Sequence, residues 1–184
     1  MRAIELSTIG LALALFSASA MAQVDLAKST VSATAKQIGV PIEGKFNKVS
    51  ATIKFNAAQL AQSSAKVEID VGSYDMGSAE YNKEVTGKDW FNASQFPKAT
   101  FVSGAITAAG TGKYNVAGKL TLKGKTIDVT IPFNVKPDGA TQVFDGVLPI
   151  KRTVFNIGDG EWKDTSVVAD EVVIKFHLVV ANSK

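Results

Sequence analysis

From Val49 onward, apolar and polar residues alternate with a period of two. Val49, Ala51, Ile53 and Phe55 interleave with Lys48, Ser50, Thr52 and Lys54, and Val67, Ile69 and Val71 with Lys66, Glu68 and Asp70. Longer runs follow, with apolar sets Tyr114–Leu122, Ile127–Val135, Phe144–Ile150 and Val172–Val180. That period sends successive side chains to opposite faces of a strand. Each segment therefore has one apolar and one wet face, the pattern of antiparallel strands around a single interior. Gly110-Thr111-Gly112-Lys113, Lys123-Gly124-Lys125 and Lys136-Pro137-Asp138-Gly139 carry turn residues, so Lys98 to Ile150 reads as an up-and-down meander. Ala57–Ser64 predicts a helical turn, and Tyr74–Phe91 a helix or long crossing loop. No repeat or linker divides the chain. The prediction is one all-β domain of seven or eight strands, as either a closed barrel or a two-sheet sandwich.

One stretch obeys neither period. Lys88–Ser103, KDWFNASQFPKATFVS, holds Trp90, Phe91, Phe96 and Phe101. Pro97 removes a backbone donor and drives Phe96 into an extended conformation. The segment reads as an aromatic connection entering a strand at Ala99. Aromatics that dense in a loop cover something apolar, either the core or a ligand.

The amino-terminal end reads differently. Ile9–Phe16 is a compact apolar run, too short to span a bilayer, and Ala20-Met21-Ala22 has the form of a signal-peptidase site. Residues 1–22 are thus expected to be a cleaved leader and residues 23–184 the mature domain, working in the periplasm. The chain has no cysteine, so disulfides and thiol chemistry are excluded. Its formal charge of +3 comes from scattered lysines, without the clustered basic stripe that nucleic acid requires.

Candidate chemistry is sparse. The single histidine, His177, falls on the outward parity with no partner evident in sequence, which argues against metal or triad chemistry. Asp159-Gly160-Glu161-Trp162-Lys163-Asp164 lacks the spacing of a calcium loop and reads as a solvated turn. Arg152 stands out, because counting by twos from Phe144 puts a guanidinium at the end of an apolar face. It is either a structural residue whose stem covers apolar surface or an anchor for a polar ligand head.

Four segments in order carry a wider likeness: Val40–Phe46 with Ala51–Phe55, Gly87–Gly104, Tyr114–Lys125, and Ile150–Gly158 with Val168–Phe176. Together they resemble the YceI-like family of periplasmic lipid-binding proteins, from about Ser29 to Val180. The resemblance implies a lipocalin-like eight-stranded antiparallel β-barrel with one or two short helices. It also implies a hydrophobic tunnel for a long apolar chain, a polyisoprenoid or quinone or a fatty-acid derivative, in transport or storage rather than catalysis. No cofactor is expected beyond that lipid. Transient membrane contact and a monomeric or homodimeric state are compatible with it. The candidate ligand-binding residues are Phe46, Phe55, Ile69, Trp90, Phe91, Phe101, Leu120, Phe133, Phe144, Arg152, Phe155 and Phe176. The alternative is a stress-related interaction protein with a filled barrel and a protein partner, since a filled core and a tunnel look alike in sequence.

Overall fold

The computed structural model describes residues 22–182. The expected leader lies outside them, except for Ala22. The wall of the fold consists of β2 (Thr30–Gln37), β3 (Val40–Phe46), β4 (Val49–Lys54), β5 (Ser64–Asp70), β6 (Tyr74–Asp75), β7 (Lys98–Gly110), β8 (Lys113–Leu122), β9 (Lys125–Asp138), β10 (Thr141–Lys151) and β11 (Glu171–Ala181). A short β1 (Ala22–Gln23) precedes them.

Two pairs of elements act as single bent strands. β3 and β4 meet at Asn47–Lys48, where the Asn47 and Lys48 amides donate to Ser73 O (3.1 Å) and Ser73 Oγ (2.9 Å). β5 and β6 meet across a 3₁₀ turn at Val71–Ser73, started by the Asp70 carboxylate, which accepts from the Gly72 amide at 2.9 Å. Each β-neighbour along the chain then pairs antiparallel with the next, and β11 returns to pair with β2 from Val173↔Thr34 to His177↔Thr30. The result is a closed, up-and-down, eight-stranded antiparallel barrel. Closure removes the exposed edges that a sandwich would leave. β1 works as a strap: Gln23 pairs with Thr52 of β4, and Val24 bridges to Val180 of β11.

The turns follow from residue chemistry. Lys123 and Gly124 both take positive φ (44° and 75°), the backbone twist a two-residue hairpin needs. Pro137 departs from expectation: it stays in β9, opposite Gln142, and the turn falls at Gly139-Ala140. Ala57–Ser64 contains the short 3₁₀ turn Leu60–Gln62. In the Tyr74–Phe91 stretch, α1 covers only Ala79–Thr86, and Tyr74 itself belongs to β6.

The two barrel ends differ. One end carries the short β7–β8 and β9–β10 turns and a cluster of inward aromatics, Phe55, Tyr114, Phe133 and Phe144, with ring centroids 5.0–6.2 Å apart. These rings pack against one another and form a floor. The opposite end carries the long connections, namely α1 with the aromatic loop up to Pro97, and the β10–β11 connection from Arg152 to Asp170.

The capped apolar cavity as candidate functional site

The cap is built by backbone groups that hold two loops together. Asn92 adopts a left-handed conformation (φ 49°), and around it Phe91 N donates to Val85 O (3.0 Å), Ala93 N to Thr86 O (3.0 Å) and Phe96 N to Asn92 O (2.8 Å). This coils the aromatic loop over the barrel mouth. Asp89 O then accepts from the amides of Gly158 (2.9 Å) and Asp159 (2.7 Å) of the second loop. Lys123, nearly buried, donates to Asn156 O at 2.6 Å and pairs with Asp159 at 3.6 Å. The Asp159–Asp164 stretch is therefore more than a solvated turn, since its first carboxylate fastens the cap.

Arg152 holds the second loop from within. It is 1 % exposed and starts a 3₁₀ turn just beyond β10. Its Nε donates to Ala169 O (3.1 Å), one terminal nitrogen to Ile157 O (2.9 Å) and Gly158 O (3.2 Å), and the other to Trp162 O (2.7 Å) and Val168 O (2.7 Å). A guanidinium has five N–H donors, and all five are taken by backbone carbonyls. Gly158, at φ +80°, must lack a side chain because a Cβ there would strike the guanidinium. Burial lowers the proton affinity of Arg152, and the charge of Asp170 works against that. The expectation that Arg152 anchors a ligand head group is corrected accordingly. Its donors are saturated, and the structural alternative describes it.

Beneath the cap lies a cavity of about 820 Å³, walled by Tyr74, Trp90, Phe91, Leu122, Ile150, Trp162, Val172 and Ile174, with the Arg152 side chain at its edge. Below it, inside the barrel, is a wholly apolar lumen of about 140 Å³ lined by Phe55, Ile69, Phe101, Leu120, Phe133, Phe144 and Phe176, among others. Phe46, Leu122 and Ile174 line both, so the two spaces share a waist. Of the sequence-predicted site residues, Trp90, Phe91 and Arg152 are on the upper space, Phe46 is at the waist, and Ile69 and the remaining barrel residues are on the lumen. Phe155 is the exception. It is fully buried, lines neither space and packs beneath the cap loop as core.

The lumen exists because rings lie flat against its wall. Gly146 directly faces Phe176 across the β10–β11 ladder, and a Cβ on it would overlap the Phe176 ring. Gly118 accommodates Phe101 in the same way, and Gly44 accommodates Tyr74. A glycine inside a strand marks such a close approach. Replacing Gly146→Ala is expected to push Phe176 into the lumen and to cost roughly 1–3 kcal/mol, the usual range for overpacking. Chemical denaturation checks the stability, and xenon uptake checks the lost volume.

Tyr74 shows how apolar this region is. Its hydroxyl donates to Ala33 O at 2.9 Å. Burial pushes the phenol from 10.0 up to about 12, opposed by the Gly44 backbone and helped by the charge of Glu43. Because the folded value exceeds the unfolded one, this group's contribution is fully present below pH about 10 and declines as pH rises toward 12. A spectrophotometric titration should therefore show one of the three tyrosines ionising near 12, with loss of the barrel accompanying it. His177 lies on the outer wall, as its parity predicted, but it has a partner: its Nδ1 lies 2.7 Å from Asp145 Oδ1 on the neighbouring strand.

The geometry has close parallels. BcnA of Burkholderia cenocepacia superposes with a TM-score of 0.83 at 64 % identity, covering 85 % of this chain and 98 % of that one. A polyisoprenoid binding domain from Saccharophagus degradans superposes with a TM-score of 0.72 at 17 % identity, over 88 % of this chain and 98 % of that one, a likeness of fold. In sequence, a UPF0312 protein of Vibrio cholerae is 37 % identical over 90 residues, 49 % of this chain and 48 % of that protein. One from Shewanella denitrificans is 33 % identical over 98 residues, 53 % of this chain and 51 % of that protein. The chain thus spans about half the length of the curated relatives it matches. The family profile described as the YceI-like domain matches residues 23–180, nearly all that the structure describes, and the chain belongs to the YceI-like family.

Proposed function

We propose that this protein is a non-enzymatic periplasmic carrier or store for a polyisoprenoid, a prenyl quinone or a similar long-chain lipid. The observation that carries the reading is the wholly apolar lumen inside the barrel beneath a larger cap cavity, the two sharing Phe46, Leu122 and Ile174 in their walls. Burying a chain there is favourable by roughly 0.8 kcal/mol per CH₂, so a long tail binds without any dedicated motif. The larger cap cavity takes the polar end and adjoining chain, and the lumen takes the tip. The polyisoprenoid-binding name of the Saccharophagus degradans domain supports the ligand class, and membership in a family of binding domains supports a role outside catalysis. The aromatic cluster at Phe55, Phe133 and Phe144 closes the lumen at the end of the barrel away from the cap.

Titration of the protein with a fluorescent long-chain fatty acid, followed by competition with a prenyl quinone, tests this. Stoichiometric uptake and displacement are expected. Failure to take up either compound would leave the filled-barrel interaction protein as the better reading.

A further inference from the structure

We propose that a side window in the barrel wall, between the β1–β2 connection and the β3–β4 bend, is the site where the apolar chain of the ligand enters and leaves. The inference rests on the lipid-binding reading above and adds the route to it.

The window follows from the strand ladder. On the side of β3 and β4 that faces β2, pairing stops at Ser32↔Lys45 and resumes only at Gln23↔Thr52. Phe46–Ala51 has no strand partner on that side. The Asp25–Ser29 connection frames the gap, but its backbone bonds lead elsewhere. Lys28 N donates to Asp25 O (3.2 Å), Ser29 N to Leu26 O (3.4 Å) and Asp25 N to Val179 O (2.8 Å). Among the described residues, no hydrogen bond joins this connection to Phe46–Ala51.

Over the gap lies a hollow of about 470 Å³. Val31, Phe46, Ile69 and Leu178 line it, and the same four side chains line the lumen. Val31 and Leu178 are buried, whereas Phe46 and Ile69 are half-buried. The partition here is made of side chains rather than paired backbone. Phe46 borders the cap cavity as well, so a chain passing beside it meets both spaces of the proposed ligand site. Leu26, 55 % exposed on the rim, offers an arriving chain an apolar first contact.

The other boundaries are fastened more firmly. Lifting the cap breaks the Arg152 and Lys123 hydrogen bonds, which have charged donors, whereas turning side chains at the window breaks no ladder bond. The β9–β10 ladder also ends, at Gly146↔Phe133. The hollow outside that split shares only Phe133 and Phe176 with the lumen, and Phe133 belongs to the aromatic floor.

The test uses the absence of cysteine from the chain, which lets a single introduced thiol be labelled. Leu26→Cys and Ser50→Cys lie on opposite sides of the window. Val147→Cys marks the β9–β10 split, and Lys119→Cys is a control on the exposed face of β8. Each is coupled to a polyethylene-glycol maleimide, and binding of cis-parinaric acid is followed by stopped-flow fluorescence. In the Leu26 and Ser50 adducts both uptake and release should slow about tenfold or more, with Kd unchanged within about twofold, because blocking a passage alters rates and not the equilibrium. The Val147 and Lys119 adducts should match the unlabelled protein. Uptake as fast in the two window adducts as in the Lys119 adduct, or slowed only in the Val147 adduct, would overturn the window and leave lipid binding standing. A weakened Kd at an unchanged uptake rate would also overturn it, since the hollow would then be part of the binding wall. No uptake by the unlabelled protein overturns both.

Discussion

Replacing Arg152→Ala is expected to destabilise the protein by about 4 kcal/mol or more, among the largest effects available from a single substitution in this fold. The substitution strips partners from the carbonyls of Ile157, Gly158, Trp162, Val168 and Ala169, of which Ile157, Gly158 and Val168 belong to buried residues. Hydrogen bonds from a charged donor contribute roughly 1.5–3 kcal/mol each, and stranded buried carbonyls carry their full desolvation cost. The effects are not additive, because the five bonds share one loop. Arg152→Lys recovers little, since an ammonium offers three donors without the planar fork that reaches carbonyls on opposite sides. Urea denaturation should show the loss, and limited proteolysis should cut first between Asn156 and Asp170. A loss below about 1 kcal/mol would mean that the guanidinium is not the fastener described here.

The second large effect separates two phenylalanines that look equivalent in sequence. Phe133→Ala should cost roughly 3–5 kcal/mol, because its ring is part of the packed floor, between Tyr114 at 5.5 Å and Phe144 at 6.2 Å. Phe176→Ala should cost markedly less, since that half-buried ring lies over Gly146 at the lumen wall and is less enclosed by protein than Phe133. The same change should raise affinity for bulkier chains. Paired denaturation curves and lipid titrations check both variants. Equal stability losses would indicate that the barrel is filled to the same degree along its whole length.

Much of the barrel was legible because a closed antiparallel wall writes a period-two code into its strands. Tyr114–Leu122 and Ile127–Val135 pair with their apolar sets on one face, as alternation predicts, from Tyr114↔Phe133 to Leu120↔Ile127. The code falls silent where the partner is backbone. Counting by twos singled out Arg152, but its acceptors are carbonyls of the connection that follows it, and a carbonyl has no residue-type signature. The glycines under Tyr74, Phe101 and Phe176 were equally hidden, since only the cross-strand register reveals that a ring lies above them. Trp90 and Phe91 could be read as covering something apolar because they break both periods. That Phe91 packs on Phe46 and Tyr74 (6.1 and 5.7 Å), while Trp90 meets Trp162 and Arg152, needed the fold. Phe155 shows the converse. An isolated loop phenylalanine resembles a lining residue until packing shows it fully buried as core.

Organic extraction of the protein purified under native conditions from a bacterial host, followed by mass spectrometry, tests the central claim most directly. The expected result is one long-chain lipid at near-equimolar ratio, isoprenoid or fatty-acid derived and ending in an oxygen-bearing head. Empty protein that also fails to take up added prenyl quinone would contradict it.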